Sequence, residues 1–144
     1  MKRFIILVLI CCVLAISAAC NRRPDRGTIP TTVTVKYNGE PVYEAVVVFM
    51  AADNFANGLT NKSGIAKMST FEDGDGCIPN TYTVIIKKDE LVEELDPNKP
   101  AGENVISSKT VFHVPQKYGE SAKSGLTAVV EKDGKNNFVF ELVD

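Results

Sequence analysis

One histidine, His113, limits what this chain can catalyse. Every site that needs two imidazoles is excluded, the ordinary zinc hydrolase cluster among them. A Ser-His-Asp arrangement around His113 would need partners that no spacing marks, and nothing marks a nucleophile, so His113 reads as a structural or loop residue. Asp73-Gly74-Asp75-Gly76 opens like a calcium loop. It then places Ile78 sixth and Val84 twelfth, where such a loop needs a glycine and a bidentate glutamate, so a plain turn is the better account. Cys77 lies within that turn beside Asp73 and Asp75, whose charges would raise a thiol pKa, and it reads as a small packing residue. Lys36 and Asn137 are formal candidates for an isopeptide bond. The alternation that turns Val33, Val35 and Tyr37 inward points Lys36 outward, against that bond. No catalytic, cofactor-binding or metal-binding residue is expected.

The residue that does carry chemistry is Cys20. Met1-Lys2-Arg3 is a short basic segment, and Phe4 to Ile16 is almost unbroken apolar sequence. Such a run rises only about 20 Å as a helix, against a hydrocarbon core of roughly 30 Å, so it has the shape of a signal-peptide h-region. It ends in Ser17-Ala18-Ala19-Cys20, followed by the polar stretch Asn21-Arg22-Arg23-Pro24-Asp25-Arg26. This resembles the bacterial lipobox. The resemblance implies cleavage between Ala19 and Cys20, a diacylglycerol thioether on Cys20, and usually an acyl group on the new amine. Two or three acyl chains hold a protein stably at a membrane where one does not. Asn21 stands where an aspartate would suggest inner-membrane retention in many diderm bacteria, so the outer membrane is favoured. An ordinary secretory signal, with Cys20 left as a spare thiol, is the competing account.

Several bounds follow. Of 144 residues, loss of 1–19 leaves 125, enough for one domain and a short tether, 20–30. Lys2 and Arg3 leave as well, so the net charge moves from −2 to −4 and gives no footprint for nucleic acid. Cys11 and Cys12 are discarded and Cys20 is lipidated, which leaves Cys77 with no partner for an intramolecular disulfide. The fold must then rest on its core.

The body reads as strands. Thr32 to Tyr37 alternates strictly, and Asn38-Gly39 is a tight hairpin turn. Ala45 to Met50 is apolar on both faces, as a central strand would be. Asn61 to Gly64 is a turn before Ile65 to Thr70, with Gly64 at positive φ, and Gly74 and Gly76 let the backbone fold back before Thr81 to Lys87. In that strand Tyr82, Val84 and Ile86 face inward, as do Leu126, Ala128 and Val130. Asp133-Gly134 then turns the chain into Phe138, Phe140 and Leu142. Short strands between Gly, Asn and Asp turns, with no long helical period, predict an all-β antiparallel β-sandwich of seven strands or so over residues 31–144. Residues 89–110 break the pattern. Asp89 to Leu95 could make a helical turn or two, Asp96-Pro97 and Lys99-Pro100 would stop it, and the whole reads as a surface insertion, either a contact loop or a solvated excursion.

A resemblance runs through residues 30–144. It starts with Val33-x-Val35, Asn38-Gly39-x-Pro41-Val42, Ala45-x-Val47-x-Phe49 and Gly58-x-Thr60-x4-Gly64. More distinctive are Gly74-x-Gly76-x-Ile78-Pro79-x-Thr81-Tyr82-x-Val84-x-Ile86, Val114-Pro115-x-Lys117-Tyr118, Ser124 to Ala128, and Asn137-Phe138-x-Phe140-x-Leu142. Together they resemble the carboxypeptidase regulatory-like domain with its transthyretin-like (prealbumin-like) sandwich, in the form carried alone by small secreted or lipid-anchored bacterial proteins. The resemblance implies fold and location, and no reaction. The 5-hydroxyisourate hydrolases of related fold use several histidines and a Tyr-Arg-Gly-Ser ending. Intradiol dioxygenases hold iron with two histidines and two tyrosines. This chain, with one histidine and ending in Leu142-Val143-Asp144, meets neither requirement.

The expected function is therefore non-catalytic. A lipid-anchored sandwich in the cell envelope, facing periplasm or cell surface, would act as an interaction module or accessory subunit for an envelope protein. Carbohydrate binding is the second class. It usually needs exposed aromatics, and the chain has no tryptophan and mostly inward rings apart from Tyr43, Phe55 and Phe71. A hydrolase built on His113 is the third, and would lose turnover in His113→Ala.

Overall fold

The structure, a computed structural model, describes residues 26–100 and 102–144. The signal segment, Ala19 and Cys20 lie outside the described residues. Strict alternation makes β1, Thr32–Tyr37, with Val33 and Val35 fully buried and Tyr37 half-buried. Asn38 (φ 51°) and Gly39 (φ 87°) both take the left-handed region that a two-residue hairpin loop requires, which returns the chain to β2, Glu40–Pro41. The remaining strands are β3, Val46–Met50; β4, Phe55–Leu59; β5, Ile65–Lys67; β6, Asn80–Lys87; β7, Asp89–Leu95; β8, Val105–Phe112; β9, Leu126–Val130; and β10, Asn137–Leu142. A single 3-10 turn, Gln116–Gly119, lies between β8 and β9, and the described residues contain no α-helix.

Two four-stranded sheets carry the fold. In one, β10 and β2 flank β1, and β5 pairs with the other half of the same β1 edge. The other runs β4-β3-β6-β9, antiparallel throughout. Inward side chains of both sheets meet in one core: Val33, Val35, Phe140 and Leu142 from the first, Val47, Phe49, Tyr82, Val84 and Ile86 from the second. Phe49 touches across the sheets, its ring centroid 5.7 Å from that of Phe138 in an edge-on pair. This two-layer, nearly all-β arrangement is that of a β-sandwich.

Three points depart from the sequence-based expectation. The β1–β10 ladder is parallel, with Thr32 opposite Asn137 and Tyr37 opposite Leu142. First and last strands can pair this way because the whole domain serves as their crossover. Among the described residues ten strands form rather than about seven. Two of the extra ones, β7 and β8, correct the reading of 89–110: Asp89 to Leu95 is extended, not a helical turn, and pairs with 105–112 as a separate hairpin. The third concerns β3, which is central as expected but buried on one face only. Val46 and Met50 stay exposed on the outer face.

The polar interior is satisfied at each point. Thr60 is buried, its hydroxyl donating to the Val42 carbonyl (2.6 Å) and accepting from the Ala45 amide (2.7 Å), which clamps the turn into β3. The Tyr82 hydroxyl lies 2.6 Å from both the Ile78 carbonyl and the Asn54 side-chain oxygen, and burial pushes its pKa up to about 12. Ser124 donates to the Val84 carbonyl. Tyr118 packs while its hydroxyl finds partners. The ring is buried under Lys117, and the oxygen donates to the Val143 carbonyl (3.1 Å) and accepts from the Val143 amide (3.2 Å).

Candidate functional site

The residues singled out for chemistry are not brought together. Asp75 turns its carboxylate inward to cap its own loop, accepting from the amides of Thr70 (2.8 Å) and Phe71 (3.1 Å), so the Asp-Gly-Asp-Gly segment is a turn. Among the described residues, no group of three or more His, Cys, Asp and Glu side chains gathers as a metal site. Lys36 sits opposite Glu141, four positions along β1 from the Thr32–Asn137 pair, and Asn137 accepts from the Thr32 hydroxyl at 2.6 Å. That separation, roughly 13 Å of strand, rules out a Lys36–Asn137 bond.

Cys77 is fully buried, exchanging backbone hydrogen bonds with Ile29. Burial pushes its pKa up to about 11, with the Asp75 charge adding to the rise and a hydrogen bond with Thr31 opposing it. Against the ordinary value of 9.0, the thiolate population at neutral pH falls about a hundredfold. Iodoacetamide at pH 8 should therefore alkylate Cys77 in the native protein at least about a hundredfold more slowly than in urea. Similar rates in the two states would refute a packed thiol.

His113 closes the root of the hairpin. Its amide donates to the Lys88 carbonyl (2.8 Å), and its half-exposed ring places Nε2 3.3 Å from Glu90 Oε2. Beside it, the Lys88 ammonium pairs with Glu44 Oε2 at 3.1 Å. Glu44 is held at φ 55°, a left-handed conformation uncommon for a residue with a side chain. The hydrogen bond from Lys88 is the main cause that lowers the Glu44 pKa, and a hydrogen bond with Glu44 raises that of Tyr43. A shallow groove of about 350 Å³ runs between Tyr37, Glu40, Tyr43, Lys88 and His113. A smaller recess of about 110 Å³ lies on another side of the root, against Ile86, Phe112, Val114 and Pro115. Neither is lined by a serine, threonine or cysteine.

The hairpin itself is the feature that sequence reasoning missed. It pairs within itself, Asp89 opposite Phe112 through Leu95 opposite Val105, with a bulge beside Leu95. Nearly every side chain on it is exposed. Alternation puts Leu91, Leu95, Val105 and Phe112 on one face together with Asp89 and Glu93, while Glu90, Val92 and Glu94 take the other. Asp89, Glu90, Glu93, Glu94 and Asp96 make the ribbon acidic. A solvated insertion would not keep Leu91, Val92, Leu95, Val105, Ile106 and Phe112 exposed to water together. An isolated two-stranded ribbon is marginal in water. The signal was present in the sequence, as the apolar and β-branched residues of Val105 to Phe112, but the acidic, Pro-rich composition before it hid the partner strand. Comparisons with protein families, curated proteins and solved structures find no match to this chain.

Proposed function

We propose that this protein is a lipid-anchored, non-catalytic β-sandwich of the cell envelope, of the transthyretin-like kind, acting as an interaction module or accessory subunit. The observation that carries the reading is the β7–β8 hairpin, which presents exposed apolar side chains and an acidic composition outside the core. The Ser17-Ala18-Ala19-Cys20 motif supports the anchor, and Asn21 supports an outer-membrane destination. A fatty-acid analogue should label the wild type and leave Cys20→Ser unlabelled. Label retained by the mutant would sink the anchor.

The partner is tested separately. Crosslinking in the native envelope should give one stoichiometric protein partner, lost when residues 89–112 are replaced by a short turn and when Leu91 and Phe112 are changed to serine. A partner retained by both variants would move the contact off the hairpin. Carbohydrate binding stays in play because Tyr43, Phe55 and Phe71 are indeed exposed. Retardation on polysaccharide affinity gels, lost on changing these rings to alanine, would favour that class instead.

A further inference from the structure

We infer that the apolar lip formed by Phe55, Phe71 and Met50 rests on the lipid surface to which the chain is tethered, holding the hairpin away from it. The inference rests on the lipid-anchor reading of Cys20. Arg26 is the first described residue, and its guanidinium lies 5.1 Å from the centre of the Phe71 ring. Five residues lie between Cys20 and Arg26, so even fully extended the six Cα steps reach only about 20 Å. The membrane surface is therefore within about 20 Å of the Arg26 backbone, whose side chain lies against Phe71.

The lip is presented by the fold rather than left loose. Both oxygens of Asp75 bind the backbone at Thr70 and Phe71, which fixes the ring's outward position. Asn57 and Ser69 exchange backbone hydrogen bonds (2.9 and 2.7 Å), carrying the segment before Phe71 along the free edge of β4. Phe55 is on that strand, two residues before Asn57, and opposite Met50 of β3. All three side chains are exposed, Phe55 at 59% and Phe71 at 51%. Phenylalanine side chains on an interfacial face bury at the boundary between headgroups and acyl chains. Exposed Glu72 and Asp73 follow Phe71 directly, which suits a zwitterionic headgroup better than an anionic one.

The opposite end carries the hairpin. Strand β6 starts three residues after Cys77, whose bridge to Ile29 marks where the N-terminal chain enters, and ends two residues before Asp89. Its eight residues put about 23 Å between the tether end and the hairpin root.

The chain has no tryptophan, so a single one reports alone. The lipidated full-length product carrying Phe71→Trp, Phe55→Trp or Phe112→Trp would be reconstituted into phosphatidylcholine vesicles, flotation first establishing the anchor. With brominated phosphatidylcholine, emission from Phe71→Trp and Phe55→Trp should fall by roughly half, the rings lying at the depth of an interfacial side chain, and that of Phe112→Trp should not change. Floating protein with no quenching at positions 71 and 55 would overturn the orientation while leaving the anchor intact. Equal quenching at all three positions would also overturn it. So would a blue shift of Phe71→Trp that grows with protein density and ignores bromine, which would assign the lip to a second copy. Failure to float would remove the anchor, and the orientation with it.

Discussion

Replacing Gly76 with alanine is expected to cost about 3–5 kcal/mol, enough to leave a domain of ordinary stability close to unfolding. Gly76 has φ +97°, and a Cβ there would stand 2.0 Å from the Ile29 carbonyl oxygen and 2.5 Å from its carbon. Both are backbone atoms, so no side chain can swing aside. The Ile29–Cys77 bridge would have to open, losing its two hydrogen bonds (2.7 and 3.0 Å) and uncovering Cys77. The bonds at Gly76 itself, its amide to Met68 (2.9 Å) and its carbonyl from the Thr70 hydroxyl (2.7 Å), would be displaced with it. Gly39→Ala separates the causes. Its φ is +87° and nothing stands within 4 Å of its Cβ position, so only the conformational cost of about 1 kcal/mol applies. Urea unfolding of the two variants measures the difference. Equal losses would mean that the close approach to Ile29 contributes nothing.

Phe49→Ala should be nearly as damaging, at about 3–5 kcal/mol, because the cavity opens where the sheets meet. The side chain is fully buried, with ring centroids 5.5 Å from Tyr82 and 5.7 Å from Phe138. Phe49→Leu keeps most of the volume and should lose under about 2 kcal/mol. Val139→Ala, at a 65% exposed position on β10, should change stability by no more than about 0.5 kcal/mol. If Phe49→Ala and Val139→Ala unfolded at the same urea concentration, the core assignment would fail. Tm alone would be a poorer readout, since cavity size and enthalpy change together.

Much of the fold was legible in the order of residues because a strand with one wet face writes its own pattern. Val33 and Val35, then Tyr82, Val84 and Ile86, then Ala128 and Val130, recur at every second position, and each is buried. Asn38-Gly39 named its turn because only left-handed residues close a two-residue hairpin. Strand β4 was not legible. Phe55-Ala56-Asn57-Gly58-Leu59 has poor strand formers at its centre, and it forms because β3 offers a ladder on one side.

The sequence by itself determined the alternation and the turns, since these depend on neighbours along the chain, and its one histidine excludes sites that need two. It also placed Cys20 behind its apolar segment. Only the tertiary structure decided that β10 returns parallel to β1, because pairing between residues 105 positions apart leaves no local trace. The same holds for β7 and β8, each half-polar and unremarkable alone, which become one ribbon only when Asp89 is set opposite Phe112 and Leu95 opposite Val105. Tertiary structure alone, too, set Arg26 over Phe71 and the hairpin at the far end of β6.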